Sequence, residues 1–255
     1  MFKRPIAILV LLGAFIVWEL ACRFFDIPSY LLPKPSEVVL AAVRFGGNWW
    51  GAITETFLTV LCGFGLALLI GFPLAVLISQ SPFAYRAIYP FLVIKQSTPI
   101  VAVAPIIIVV GGTGLAAKSV VAATVAIFPI VVATATGLMA TPKEFLELAR
   151  SVHDNPRKAL LRIQLPFAVR YIFSGLRVAV TLAVIGAVVA EFVSAGRGLG
   201  YLVYSSTAFM NTPMAFAALL VLGFLGLVLF SLVGLVQSLL FPWANEVPAA
   251  GAADA

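Results

Sequence analysis

The residues with chemistry to offer are few, and most fail the spacing tests that catalysis imposes. Ser194-Ala195-Gly196-Arg197-Gly198-Leu199-Gly200 sets a hydroxyl among closely spaced glycines. A nucleophile elbow or a dinucleotide loop needs a strand before it and a helix after it, whereas a long apolar run comes first here. His153 is the only histidine. With no second base or nucleophile beside it, it reads as part of a turn, His153-Asp154-Asn155. Cys22 and Cys62 lie in apolar runs without metal-ligand spacing and read as packing residues. An intramembrane enzyme would need paired aspartates, a Ser–His pair or a metal cluster inside its spans, and the sequence offers none. The Gly-x-x-x-x-Gly-Lys-Ser/Thr loop that cradles nucleotide phosphates is absent. No catalytic residue, metal site or bound cofactor is therefore assigned to this chain.

The chemistry left is electrostatic. The chain has 255 residues, of which 62% are hydrophobic and 10% charged. Soluble domains carry about 25% charge. A bilayer is the natural solvent for such a chain, so the net charge of +6 reads as a positive-inside bias and not as a nucleic-acid surface. An ionisable group at mid-bilayer costs about 2.5–3.5 kcal/mol on insertion scales and needs a partner or a cavity. Lys95, beside Gln96, Ser97 and Thr98, is a candidate lining of a path for an anionic solute. Otherwise it is neutralised by Glu191 or extends to the membrane edge. Glu191 reads as a brace of the outer gate that bonds the glycine loop at Gly198-Leu199-Gly200, with solute contact as the other reading. Glu55, flanked by Thr54 and Thr56, lies either at the outer interface or on the path. Arg177 sits one long turn inside its span and can snorkel inward.

About 20 apolar residues are needed to cross a bilayer. Six candidate spans follow: 6–24, 53–79, 87–110, 115–138, 167–192 and 212–241. The first has a basic start that suits a signal peptide but lacks a clean cleavage site, so it reads as an uncleaved helix. The third carries Pro90, Pro99 and Pro105 and is expected to be kinked or broken, with protein or water around the freed carbonyls. A short helix is expected between the first two spans, after Pro33, Pro35 and Ser36. Turns are expected at 111–118 and 194–201, and a disordered polar tail from Glu246. One domain, 1–255, accounts for the whole. With six spans both termini share a side. Placing 139–166 inside gives Lys3, Arg4, Arg86, Lys143, Arg150, Arg157, Lys158, Arg162 and Arg170 within, against Arg23, Lys34, Arg44, Lys118 and Arg197 without. That nine-to-five split favours cytoplasmic termini.

The stretch 144–166 concentrates charge in a chain that otherwise avoids it. Phe145, Leu148, Ala149 and Val152 follow the i, i+3, i+4, i+7 spacing of an amphipathic helix. Thr141, Pro142 and Glu144 form a capping-box pattern, and Glu147 can pair with Arg150. Asn155 before Pro156 ends this helix, and a basic second helix runs from Arg157 to Leu165. Such an element either lies on the bilayer or fits a partner's groove.

Glu147-Leu148-Ala149, three residues, His153, nine residues, and Ile163-Gln164-Leu165-Pro166 resemble the cytoplasmic signature loop of permeases from ATP-binding-cassette (ABC) importers. That loop runs Glu-Ala-Ala, three residues, Gly, about nine residues, Ile-x-Leu-Pro. Leu148 replaces an alanine and His153 the glycine. The resemblance covers nearly the whole chain and is nearest to the nitrate, sulfonate and taurine group, through "LPKPSEVV", "STPIVAVAP", "VGGTGLAAK", "IFPIVVATATG" and "SGLRVAVTLAVIGAVVAEFVSAGRGLGY". It implies an all-α polytopic protein of about six transmembrane helices, of the type I importer permease class, in a bacterial inner membrane. It implies a second permease copy, two ATPase subunits that hold the ATP, a periplasmic or lipoprotein binding protein, and an alternating-access path for a small, anionic solute. Phe145, Glu147, Leu148, Ala149, Val152, His153, Leu165 and Pro166 would make the ATPase contact; Lys95, Glu191 and Glu55 are the path candidates. A self-contained secondary transporter or channel is the rival reading. It would show inverted repeats or paired intramembrane acids, which the sequence lacks.

Overall fold

A computed structural model of the chain describes residues 3–142, 144–147, 155–194 and 196–244. Among these, all regular structure is helical: α1 (Lys3–Phe24), α2 (Pro35–Phe45), α3 (Trp49–Gln80), α4 (Pro82–Ser97), α5 (Ile100–Gly111), α6 (Leu115–Met139), α7 (Leu165–Ser194), α8 (Leu199–Ala208) and α9 (Thr212–Leu240). Residues 144–147 are helical, and Pro156–Ala159 and a π-turn at Leu160–Gln164 lead into α7. Four stretches are long and apolar enough to cross a membrane: Pro35–Gln80, Leu115–Met139, Leu160–Ser194 and Thr212–Leu240. The bent pair α4–α5 makes a fifth, and α1 coincides with the first predicted span.

α6 is the central helix, packed along its length against α3 and α7. Lipid tails are as apolar as leucine, so helices in a bilayer associate through close packing and small residues. The seam here is built that way: Ala67 on α3, Ala122 and Ala126 on α6, and Ala179, Ala183 and Ala187 on α7 are fully buried. The large side chains Leu69, Val109, Val110 and Leu239 point outward, each more than two-thirds exposed. This inverts the pattern of a soluble protein and suits a lipid or protein-covered surface.

The predicted span 87–110 is not a straight crossing. Thr98 and Pro99 separate α4 from α5, which meet at 98°. Pro99 has no N–H and drives Thr98 out of the helical region. Ser97 and Thr98 turn their hydroxyls back to the carbonyls of Val93 and Ile94, at 3.0 and 3.2 Å. The expected turn at 111–118 is shorter than predicted, because α6 already begins at Leu115 and takes Lys118 into its first turn. The loop expected over 194–201 also ends early, where α8 starts at Leu199. The helix predicted after Pro33 is α2. Its first turn is held by Glu19 of α1, which accepts from Ser36 N at 3.0 Å and Ser36 Oγ at 2.9 Å. Cys22 is buried and Cys62 exposed, both as free thiols.

Arg177 does not snorkel freely. Its Nη2 donates to Gln237 Oε1 at 2.7 Å, and Gln237 Nε2 donates to Ala244 O at 3.1 Å. This chain of bonds straps the end of α9, and the turn Pro242–Ala244 beyond it, to α7. Gln237→Leu would leave a partly buried guanidinium without its acceptor, a loss of about 1.5–3 kcal/mol for a bond to a charged group. Expected readouts are a fall in Tm of several degrees and faster proteolysis after Leu240; native cleavage rates would rule out the strap.

Candidate functional site

α3 brings Glu55 and Thr56 to the same end of the bundle. As neighbours on a helix they point about 100° apart, and each meets a different partner. Glu55 Oε1 accepts from Lys118 Nζ on α6 at 2.9 Å. The Lys118 side chain is only 3% exposed, that of Glu55 31%. Lys118 Nζ also donates to the carbonyl of Arg197 at 3.4 Å. Thr56 Oγ1 donates to Glu191 Oε2 of α7 at 3.0 Å and accepts from Leu199 N at 2.8 Å. Glu191 Oε2 accepts a second bond from Gly200 N at 2.7 Å. Glu191 and Thr56 are both fully buried.

Leu199 and Gly200 are the first residues of α8, whose leading N–H groups have no carbonyl partner within the helix. An ordinary N-cap side chain would satisfy them, but the cap position is Gly198, with φ +130°. Glu191 and Thr56 supply the missing acceptors from two other helices, and the negative carboxylate suits the positive end of the helix. Glycine is required at 198 twice over: by its dihedral, and because a Cβ there would overlap the Glu191 carboxyl group.

The bond between Glu191 and Gly200 was legible in the sequence; the ion pair was not. Lys118 reads as a loop charge, yet it is the buried partner of Glu55. The clue available was a lysine at the head of a long apolar run with no acid in reach on its own helix. A Lys95–Glu191 salt bridge does not form. Lys95 stands near the end of α4, half-buried, with no ion pair among the described residues. The structure thus brings Glu55, Thr56, Lys118 and Glu191 together and leaves Lys95 apart, at the α4–α5 break.

At the opposite end of α7, Glu147 and Phe145 are exposed on the helical segment 144–147. Among the described residues Thr141 Oγ1 is buried without a hydrogen-bond partner, so the hydroxyl half of the expected capping box is not made. Leu165 is half-buried, and Pro166 is exposed in the first turn of α7. The π-turn just before it, closed by Leu165 N on Leu160 O, widens the helix where a proline would otherwise clash with the preceding turn. Gln164 Oε1 accepts from Gln80 Nε2 at 2.9 Å, tying this segment to the end of α3. Leu148, Ala149, Arg150, Val152 and His153 lie outside the described residues, as does the tail from Glu246. A cleft of about 550 Å³ opens between α2 and α8, lined by Glu37, Arg44, Phe45, Leu202, Ser206 and Asn211 among others; no sequence feature announced it. Among the described residues no group of three or more His, Cys, Asp or Glu side chains is placed to hold a metal ion.

A helical bundle with membrane-length helices, one bent pair and a buried polar cluster where α8 begins suits a transport subunit. The comparisons make that specific: residues 63–245 match the family described as binding-protein-dependent transport system inner membrane component, and the chain belongs to it. It is 36% identical to a probable ABC transporter permease protein of Haemophilus influenzae, over 84% of this chain and 87% of that one. It is 34% identical to the riboflavin transport system permease protein RibX of Chloroflexus aurantiacus, over 94% and 89%. The formylaminopyrimidine transport permease protein ThiX of Halalkalibacterium halodurans is 31% identical over 91% and 92%. The fold matches the MetNI methionine ABC transporter in inward-facing crystal forms, with a TM-score of 0.65 at 20% identity, over 79% of this chain and 99% of that chain. The chain is thus an importer permease of the ABC class, not a catalytic subunit.

Proposed function

We propose that two copies of this chain form the membrane path of an importer driven by a separate pair of ATPase subunits, with a binding protein delivering solute on the other face. The observation that carries this is the loop 139–166. It is the charged segment of a greasy chain, it follows the ABC permease signature, and its Phe145 and Glu147 are exposed and so open to a partner's groove. Gln80–Gln164 and the π-turn before Pro166 would pass movement of the loop into α3 and α7. The positive-inside bias supports a cytoplasmic side for this loop and both termini. With Lys118 paired inside the bundle, the outer count drops from five to four and the bias strengthens.

The solute is small and anionic on the reading that Lys95, which has neither an ion pair nor a side-chain hydrogen-bond acceptor among the described residues, unlike Arg177 with its bond to Gln237, lines the path. A second reading has its own support: the riboflavin and formylaminopyrimidine permeases are 34% and 31% identical to this chain. A nitrate permease of Synechocystis and the taurine permease of Escherichia coli stand at 28% and 23%. A nitrogen heterocycle is the solute on that gradient.

The test is co-purification of the tagged full-length chain from its native membrane. The native chain is expected to bring down an ABC ATPase, and Phe145→Asp with Glu147→Arg to lose it while keeping its Tm. A folded chain that recovers no ATPase, yet moves solute alone in liposomes, would replace this reading with a secondary transporter.

A further inference from the structure

The outer end of the bundle carries a device that membership of the family does not assign. Loop 196–200 is held from three helices at once: Lys118 of α6 on the Arg197 carbonyl, Thr56 of α3 on Leu199 N, and Glu191 of α7 on Gly200 N. Two of these bonds serve the same helix end, and that helix, α8, forms one wall of the outer cleft through Leu202 and Ser206. We propose that the Glu191 carboxylate and the Thr56 hydroxyl, capping α8 from two different spans, are the clamp that keeps this loop closed over the bundle, and that the clamp opens for solute to pass. The clamp is suited to release. Among the described residues Glu191 Oε1 and Ser194 Oγ are buried with no protein partner, so the closed arrangement leaves polar capacity unused, and access to water on opening would satisfy both. The α8 N–H groups would exchange one set of acceptors for another, without loss of a hydrogen bond. The direction of transport rests on the importer reading; the clamp itself does not.

Ser194 is 4% exposed and reports on the clamp as Ser194→Cys, in a full-length chain with Cys22→Ala and Cys62→Ala. Sealed vesicles are treated from the loop's side with a membrane-impermeant maleimide. Thr56→Val keeps the side-chain shape and removes the hydroxyl; Glu191→Leu removes the carboxylate. Each is expected to raise the labelling rate at least tenfold, at temperatures well below Tm. Glu191→Gln retains an acceptor oxygen for both bonds and should stay within about twofold of the native clamp. Unchanged labelling in Thr56→Val and Glu191→Leu overturns the clamp, as does an equal rise in Glu191→Gln. Should Ser194→Cys not accumulate, deuterium exchange at the Leu199 and Gly200 amides reads the same clamp in the otherwise native chain. It should run at least tenfold faster in Thr56→Val, and native exchange there overturns the proposal equally. In the complex recovered with its ATPase, ATP should raise Ser194→Cys labelling several-fold with the native clamp; a rate indifferent to ATP refutes the gating half. The first two measurements need no ATPase, so a chain without one would defeat the importer reading and leave the clamp still decided.

Discussion

Glu55→Leu should destabilise this protein more than Lys118→Met, although the two substitutions break the same ion pair. The reason is the asymmetry of burial across a 2.9 Å contact: 3% of the lysine side chain is exposed and 31% of the glutamate. Without Glu55, the Lys118 ammonium is left in a dry site with a single 3.4 Å bond to Arg197 O. Removing one partner of a buried pair costs about 3–5 kcal/mol because a charge is stranded. Without Lys118, the Glu55 carboxylate is partly in water, and the loss approaches the roughly 0–1 kcal/mol of a surface pair. At about 2–4 °C per kcal/mol for a chain of this size, a 3 kcal/mol loss lowers Tm by about 6–12 °C, against a few degrees for Lys118→Met. The double variant should recover part of the loss, since it leaves no ammonium stranded, although the buried Glu191 then loses the Lys118 charge near it. Thermal unfolding in detergent of the three variants decides the matter, and equal losses from the two single substitutions would show that the pair is solvated on both sides. The same asymmetry argues against Lys118 as a solute-binding cation, because its charge is spent within the bundle.

What the sequence made legible follows from what is local. α3, α6, α7 and α9 appear within a few residues of the runs 53–79, 115–138, 167–192 and 212–241, because each is one long, predominantly apolar segment. The break at Thr98–Pro99 was readable from proline's missing N–H, but its 98° angle depends on what α4 and α5 pack against. α8 escaped notice for a physical reason. Ten residues are too few to span, and the usual N-cap signal is absent, since position 198 is a glycine and the cap arrives from Thr56, 143 positions away from Leu199. Lys118 was misplaced for the same cause: its partner lies 63 positions off, so nothing nearby distinguishes a buried lysine from one in a loop. Glu191 was placed correctly because its loop partner is only nine residues on.

Gly186→Ala should cost several degrees of Tm, and Gly186→Leu should leave no monodisperse protein. A Cβ at Gly186 of α7 would stand 2.7 Å from Ala122 Cα and 3.2 Å from Val121 O, both backbone atoms of α6. Backbone cannot rotate away as a side-chain tip can, so the two helices themselves would have to part. Gly175, three turns earlier on α7, faces Pro129 O at 2.9 Å in the same sense, and Gly63 on α3 meets Ser119 O of α6 at 2.9 Å. The three glycines therefore set the distances from α6 to α7 and to α3 at which the buried alanines touch. Overpacking typically costs about 1–3 kcal/mol, occasionally more, and Gly186→Ala should fall in the upper part of that range. Gly226 of α9 is the control. A Cβ there meets nothing within 4 Å, and replacing a helical glycine by alanine gains about 0.5–1 kcal/mol of helix propensity, so Gly226→Ala should hold or raise Tm. Matching thermal curves for Gly186→Ala and Gly226→Ala would mean that α6 and α7 can separate at no cost. The pairing of Glu191 and Thr56 across the bundle would then rest on polar bonds alone. A lowered Tm for Gly186→Ala, with the control unmoved, would show that glycine contacts fix the frame within which those bonds can open and close.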